Sequence, residues 1–162
     1  GSDTVFFRAA TSGHALCEGR GERVTLLPGV GEWSILVLTP AVHASTSAVY
    51  EAYDPALCAE APTGAPSFEG CTAEEARARL FNHLELVALS LHPELAAWRA
   101  ALDSAGLDHA RLTGSGASFF ALYDSEMEAE QGLRDVLGRA EALAEPRLAC
   151  VTTPARGVSL VL

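Results

Sequence analysis

The stretch that decides the fold is Arg111–Tyr123, "RLTGSGASFFALY". Two apolar runs, Ala110–Thr113 and Ser118–Tyr123, flank Gly114-Ser115-Gly116 and predict two neighbouring antiparallel strands. The glycines suit a plain hairpin turn, because glycine adopts positive φ without steric cost. A run of small residues also lets backbone N–H groups approach an anion closely, as phosphate-binding nests do. The residues alone leave both interpretations open.

The order of elements around this hairpin predicts the architecture. Upstream, Ser34–Thr39 ("SILVLT") is a continuous apolar run, typical of a central strand buried on both faces. Downstream, Arg147–Thr153 is predicted to be a final strand. From residue 34 the order is strand, helices, strand, strand, helix, strand. It predicts an α+β fold, the ferredoxin-like split β-α-β plan, with helices on one face of an antiparallel sheet.

Capping residues and apolar spacing predict the helices. Ser45 or Thr46 can cap the first helix, and Thr72-Ala73-Glu74-Glu75 opens the next with a capping-box pattern. Gly106 ends the helix that begins at Pro93. The predicted helices are Thr46–Tyr53, a helix from Thr72 with an apolar face of Leu80, Leu84, Val87 and Leu91, Pro93–Ala105, and Ser125–Ala144.

The first 32 residues have a different pattern. Three short strands without a helix are predicted, at Thr4–Ala9, His14–Glu18 and Glu22–Leu27. Such a piece is a poor folding unit alone, so we expect residues 1–32 to complete a sheet that begins upstream. Residues 33–162 then form the second domain, in which the Pro- and Gly-rich segment 54–72 is predicted to be a surface loop.

Composition excludes several classes of function. The net charge of −10 argues against a nucleic-acid partner, because phosphate backbones require a basic face. All 11 basic residues are arginine, which excludes a Walker-type lysine loop and a lysine nucleophile in these residues. No apolar run reaches the roughly 20 residues that span a bilayer, and we expect no signal peptide. The cysteines lack Cys-x-x-Cys spacing and the histidines are scattered, so we expect a cytoplasmic protein with reduced thiols and no metal site.

Two further features have both a structural and a functional interpretation. Thr46 and Tyr50 are four residues apart and therefore share one helical face. The hydroxyl and the ring suit a ligand and a stacked base, but a half-buried aromatic near a helix start is an equally good interpretation. Arg20 in "EGRGE" (Glu18–Glu22) suits a phosphate, although a turn arginine is usually only solvated.

Taken together, these stretches resemble the second half of GHMP-superfamily small-molecule kinases. Within that superfamily they are most similar to the 4-diphosphocytidyl-2-C-methyl-D-erythritol kinase family of non-mevalonate isoprenoid biosynthesis. The stretches that carry the resemblance are "GSDTVFF" (1–7) followed by "GRGE" (19–22), Pro40 with "STSAVY" (45–50), "RLTGSGASFFALYD" (111–124) and, more weakly, "FNHLE" (81–85). Two departures are Thr4-Val5 in place of Val-Pro and His83 in place of an acid.

The resemblance implies a role for each matching position. Asp3 is the implied catalytic carboxylate, which takes a proton from, or orients, the hydroxyl that attacks the γ-phosphate of ATP. Thr46 and Tyr50 are the implied substrate residues, with the aromatic ring on the cytosine of the cytidine-diphosphate methylerythritol substrate. The segment Thr113-Gly114-Ser115-Gly116 is the implied phosphate-proximal loop, beside ATP and Mg²⁺.

The resemblance also implies a missing part. In this family the ATP loop and the catalytic lysine belong to an N-terminal domain, for which this lysine-free sequence has no counterpart. We therefore expect the chain to need an ATP-binding domain as partner and to be inactive alone. The alternatives are another GHMP kinase, of homoserine or mevalonate type, or a non-catalytic ferredoxin-like binding module in which Asp3 is incidental and Tyr50 belongs to the core.

Overall fold

The structure is a computed structural model that describes residues 14–19, 21–57 and 66–152. In these ranges it contains six strands and five α-helices. In chain order they are β1 (Ala15–Glu18), β2 (Arg23–Leu26), β3 (Ser34–Thr39), α1 (Thr46–Glu51), α2 (Ala73–Arg77), α3 (Leu84–Leu91), α4 (Pro93–Ser104), β4 (Arg111–Leu112), β5 (Phe119–Tyr123), α5 (Glu126–Arg139) and β6 (Leu148–Thr152), with a 3₁₀ turn at Pro55–Leu57.

The main sheet has four antiparallel strands in the order β4-β5-β3-β6. Strand β3 is central, with Leu36 opposite Ala121 of β5 and Val151 of β6. This order, with helices between β3 and β4 and between β5 and β6, is the split β-α-β arrangement. The predicted α+β, ferredoxin-like fold class is confirmed.

The larger hydrophobic core lies between one face of this sheet and the helices. Leu36 and Leu38 are two residues apart on β3 and therefore point to the same face of the sheet, where both are fully buried. Leu95 of α4 and Val136 of α5 pack in the same cluster and are also fully buried. Helix α5 begins after Ser125, whose hydroxyl accepts a hydrogen bond from the N–H of Glu128 at 3.3 Å. It ends at Arg139, earlier than the predicted Ala144.

The opposite face of the sheet is also covered, which corrects the prediction that all helices share one face. Trp33, Ala76 of α2 and Leu122 of β5 form a second, smaller cluster there. The indole N–H of Trp33 donates to the carbonyl of Cys71 at 3.0 Å, and Phe68 packs beside it. The end of the predicted surface loop 54–72 is therefore part of this second cluster, because Trp33 bonds Cys71 and packs against Phe68.

The prediction of one helix from Thr72 to Leu91 is wrong, because the structure divides this range into α2 and α3. The capping box at its start is confirmed: the Thr72 hydroxyl accepts from Glu75 N–H, and the Glu75 carboxylate accepts from Thr72 N–H. Helix α2 ends at Arg77, and just before α3 the side-chain oxygen of Asn82 accepts from the N–H of Leu84 at 3.0 Å. Asparagine side chains compete in this way with the regular helical hydrogen bonds.

The N-terminal strands form a separate two-stranded sheet. Strands β1 and β2 pair antiparallel, with Ala15 opposite Leu26. They confirm two of the three predicted strands. The first predicted strand, Thr4–Ala9, lies outside the described residues. A ring nitrogen of His14 is hydrogen-bonded to the Pro28 carbonyl at 2.7 Å, and the ring packs edge-on against Phe68 at 5.5 Å. The assignment of residues 1–32 to another domain stays a prediction.

Candidate functional site

The glycine loop, residues 113–116, turns the chain between β4 and β5. The N–H of Thr113 donates to the Ser118 carbonyl at 2.8 Å, and the N–H of Gly116 donates back to the Thr113 carbonyl at 3.0 Å. Gly114 has φ of 55° and Gly116 has φ of 99°. Both angles are in the region that side-chain-bearing residues rarely adopt, which explains the two glycines.

The glycine loop leaves backbone donors available. In the described part of the chain, the N–H groups of Gly114 and Ser115 donate to no other group. Thr113 and Gly114 are exposed, whereas Ser115 is buried at 8% exposure. Two successive N–H groups at a turn with positive φ form a concavity suited to an anion such as a phosphate. Two N–H groups without a partner are what the phosphate-binding interpretation of this loop requires, and that interpretation stays a prediction.

Helix α1 begins against the glycine loop. The hydroxyl oxygens of Thr46 and Ser115 lie 2.9 Å apart and share a hydrogen bond, although 69 positions separate the two residues. Ser45 caps the helix by accepting from the N–H of Ala48 at 3.4 Å, as predicted. The structure thus brings one predicted substrate residue into contact with the predicted phosphate-proximal loop.

Tyr50 lies one helical turn beyond Thr46 on α1. Its neighbour Val49 is fully buried in the core, whereas Tyr50 is 61% exposed. The ring is therefore accessible to a ligand. The interpretation of Tyr50 as a half-buried or core aromatic is wrong for this structure.

Sequence reasoning gave too little weight to Asn82 and Glu85. The Asn82 amide group donates to the Leu112 carbonyl at 2.7 Å and to the Gly114 carbonyl at 2.8 Å. The Glu85 carboxylate accepts from the Leu112 N–H at 2.8 Å. Both residues belong to "FNHLE", the weakest of the stretches that carry the resemblance. The motif was therefore visible in the sequence, but the backbone groups that its side chains bond were not.

Other predicted site features are not located. Asp3 and Arg20 lie outside the described residues. Across residues 14–19, 21–57 and 66–152, no three His, Cys, Asp or Glu side chains are arranged to hold a metal ion. Of the helices in these same ranges, none combines the length and the apolar character needed to cross a membrane.

Comparison with known proteins defines the class to which this fold and site belong. Residues 70–141 match the family model described as "GHMP kinases C terminal". The matched range includes Asn82, Glu85 and the whole glycine loop. This part of the chain is therefore similar to the C-terminal domain of GHMP kinases.

Individual relatives give a narrower resemblance, to 4-diphosphocytidyl-2-C-methyl-D-erythritol kinases. The chain is 35% identical over 129 residues to the enzyme of that name from Moorella thermoacetica, a match that covers 75% of this chain and 44% of the relative. It is 33% identical over 132 residues to the one from Caldicellulosiruptor saccharolyticus, covering 80% of this chain and 45% of the relative. The chain thus spans a little under half the length of these curated relatives.

Solved structures agree with this resemblance. A crystal structure of 4-(cytidine 5′-diphospho)-2C-methyl-D-erythritol kinase superposes with a TM-score of 0.66 at 26% identity, over 96% of this chain and 55% of that one. Homoserine kinase from Cytophaga hutchinsonii superposes with a TM-score of 0.59 at 17% identity, over 87% of this chain and 47% of that one. The second likeness shows a shared fold alone.

Proposed function

We propose that this chain is the substrate-side part of an ATP-dependent kinase that phosphorylates 4-diphosphocytidyl-2-C-methyl-D-erythritol, as in non-mevalonate isoprenoid biosynthesis. The observation that carries the proposal is the hydrogen bond between Thr46 and Ser115. It holds the start of a helix with an accessible tyrosine against a loop with available N–H donors. The names of the relatives support the same substrate.

In this proposal each part of the site recognises a different part of the substrate complex. Tyr50 stacks on the cytosine ring, an interaction worth on the order of 1–3 kcal/mol for bases on aromatic side chains. Thr46 orients the ligand with its hydroxyl. The glycine loop lies beside the phosphates, where the N–H groups of Gly114 and Ser115 face negative charge without the cost of lysine or arginine desolvation.

The proposed catalytic group is Asp3, which accepts the proton of the attacking hydroxyl or orients that hydroxyl toward the γ-phosphate. ATP and Mg²⁺ come from the family resemblance. No described cluster of acidic side chains fits Mg²⁺, and we assign the ion to no residue of this chain. Because phosphoryl transfer needs positive groups around the transferring phosphate, we propose that the chain requires an ATP-binding domain and is inactive alone.

A calorimetric titration with 4-diphosphocytidyl-2-C-methyl-D-erythritol tests the substrate site. We expect Tyr50→Ala to weaken binding by about 5- to 150-fold, the equivalent of losing one stacked base. Tyr50→Phe keeps the ring and should stay within about threefold of the original affinity. Equal binding by the original chain and Tyr50→Ala would remove the stacking role.

A turnover assay tests the catalytic proposal. ATP-dependent phosphorylation by the 162-residue chain alone would overturn the predicted need for a partner domain. When an ATP-binding domain is supplied, Asp3→Asn should abolish turnover, whereas Asp108→Asn, which removes an exposed carboxylate, should leave it unchanged. Full activity of Asp3→Asn would assign the proton transfer to another group.

The same assays separate the alternatives. The non-catalytic module predicted Tyr50 in the core, and its 61% exposure counts against that interpretation. A GHMP kinase of homoserine or mevalonate type predicts binding of those smaller substrates with no effect of Tyr50→Ala, because they carry no base to stack on the ring.

A further inference from the structure

Strand β4 is too short to fix the glycine loop by itself. It has two residues, which pair with β5 through Arg111 opposite Phe120 and Leu112 opposite Phe119. It is also the edge strand of the sheet. The outward backbone groups of an edge strand have no neighbouring strand to bond, yet buried backbone groups need partners.

Side chains from the segment at the start of α3 take the place of that missing strand. The carbonyl of Leu112 accepts from the Asn82 amide at 2.7 Å, and the N–H of Leu112 donates to the Glu85 carboxylate at 2.8 Å. Leu112 is itself buried at 1% exposure. Both outward groups of this residue are therefore bonded by side chains, as a further strand would have bonded them.

The Asn82 amide has a single orientation that fits its surroundings. Its nitrogen faces two carbonyl oxygens, of Leu112 and Gly114, while its oxygen accepts from the Leu84 N–H at 3.0 Å. The opposite orientation would place the amide oxygen against two carbonyl oxygens and the amide nitrogen against an N–H. An aspartate here would hold a carboxylate against two carbonyl oxygens, so the amide nitrogen is required.

The bond to Gly114 also sets the direction of a donor. In a trans peptide the C=O and the N–H of the next residue point in opposite directions, and the bond from Gly114 to Ser115 is trans. With the Gly114 carbonyl held by Asn82, the Ser115 N–H must point away from Asn82. It is one of the two N–H groups of the glycine loop that donate to no described group.

Glu85 is held in turn by Arg99. Its second carboxylate oxygen lies 4.0 Å from the Arg99 guanidinium, and the two side chains are 14% and 12% exposed. Arg99 also donates to the carbonyls of Ala110 and Leu107, both at 2.7 Å. The approach to β4 is thus fixed by polar side chains along its outer edge.

We propose that Asn82 and Glu85 are positioning residues, which replace a strand along the edge of β4 and aim the Ser115 N–H toward the ligand. The functional consequence rests on the kinase function proposed above, but the positioning itself does not. Neither residue touches the reacting atoms in this proposal; each acts through the backbone of the glycine loop.

Amide hydrogen exchange of the full chain, measured by NMR without ligand, tests the positioning. The probe is Gly116 N–H, bonded inside the loop, relative to Ala121 N–H in the central part of the sheet. We expect Asn82→Asp to speed Gly116 exchange by about tenfold, the effect of losing one or two hydrogen bonds, with Ala121 changed by less than about twofold. Glu85→Gln, which keeps an acceptor oxygen, should speed it by about threefold.

Glu94→Gln is the matched control, because Glu94 is an exposed carboxylate on the first turn of α4, and it should change neither amide. An unchanged Gly116 rate in both Asn82→Asp and Glu85→Gln would overturn the proposal. So would equal acceleration of Gly116 and Ala121, since the side chains would then support only general stability. If Asn82→Asp does not fold, Glu85→Gln alone decides between these outcomes.

A kinetic assay with an ATP-binding domain supplied tests the consequence. We expect Asn82→Asp to lower kcat about tenfold while KM for the cytidyl substrate stays within about twofold, because the loop faces phosphates rather than the base. A higher KM with unchanged kcat would contradict the placement of the glycine loop beside the phosphates. If the original chain does not bind the cytidyl substrate but the exchange result holds, the substrate proposal fails and the positioning stands.

Discussion

The two edges of the main sheet are built by different means. At the β4 edge, two residues of strand are held by Asn82 and Glu85, and polar contacts dominate. At the other edge, β6 has five residues in register with β3, from Ile35 opposite Thr152 to Thr39 opposite Leu148. Helix α5 covers that side and contributes fully buried apolar groups such as Val136.

The difference separates positioning from stability. Hydrogen bonds depend steeply on direction, so polar contacts at the β4 edge fix where backbone donors point. Apolar burial has no direction, and at the β6 edge it contributes free energy in proportion to the area covered. We therefore expect the loss of a polar side-chain contact at the β4 edge to alter the glycine loop selectively, and a change of apolar packing under α5 to alter the whole domain.

The largest expected effect is at Gly116 in the glycine loop. Alanine would have to adopt φ of 99°, and its Cβ would lie 3.3 Å from Leu112 and 3.5 Å from Leu95 side-chain atoms. We expect Gly116→Ala to lower the free energy of unfolding by about 2–3 kcal/mol, measured by urea denaturation.

Gly114→Ala is the matched control for that substitution. Gly114 has φ of 55°, and a Cβ added at this position would meet no atom within 4 Å. The cost should be about 1 kcal/mol, from the left-handed backbone alone. Equal costs at the two positions would show that packing against Leu112 and Leu95 adds nothing.

The next effect tests the α5 side of the comparison. A Cβ on Gly132 would collide with the Tyr123 hydroxyl and lie 3.0 Å from the Tyr123 Cζ. We expect Gly132→Ala to destabilise the domain by about 1–2 kcal/mol through overpacking. Gly138→Ala, in the same helix with open space around it, should stabilise by roughly 0.5–1 kcal/mol. Stabilisation by both substitutions, measured by thermal unfolding, would mean that Tyr123 does not constrain the helix.

Local signals in the sequence predicted the sheet and most helix starts. The continuous apolar run Ser34–Thr39 indicated a strand, and Ser45, Thr72 and Ser125 each cap the helix that follows. These features depend on neighbours within a few residues. Their prediction therefore needs no knowledge of the tertiary structure.

Features that depend on distant partners were not predicted. The Asn82 amide donates to carbonyls 30 and 32 positions later in the chain, which no local pattern indicates. Helix α2 covers the second face of the sheet because Trp33 and Leu122 supply apolar surface there. The hydrogen bond between Thr46 and Ser115 of the glycine loop was not predicted either, since no local pattern links residues 69 positions apart.

A smaller effect is expected for the hydrogen bond between Thr46 and Ser115. A double-mutant cycle with Thr46→Val and Ser115→Ala should give a coupling energy of about 0.5–1 kcal/mol in urea unfolding. Tyr50→Ala paired with Ser115→Ala should give less than about 0.3 kcal/mol, because the Tyr50 side chain is largely exposed to solvent. Coupling as large for the second pair would show that α1 and the loop move as one unit.

The smallest effect concerns pH near the start of β4. Burial lowers the pKa of His109, and the positive charge of Arg77 lowers it further, whereas Asp108 opposes them. The buried Nε2 of His109 has no hydrogen-bond partner in the described part of the chain, so a proton there would add an unpaired charge. In the unfolded chain the imidazole titrates near its ordinary value of about 6.5.

Whether stability rises or falls with pH depends on which state, folded or unfolded, binds more protons. Just below a pH of about 6.5 the unfolded chain takes up a proton that the folded chain refuses, so stability is lost as pH falls toward the lowered pKa of His109. His109→Gln should therefore flatten the decline in urea midpoint between about pH 7.5 and about pH 5. The exposed His43 provides the control, and His43→Gln should leave the decline as it is. If His109→Gln and the original chain have the same pH profile, protonation of His109 does not cause the loss of stability. Other titrating groups would then account for it.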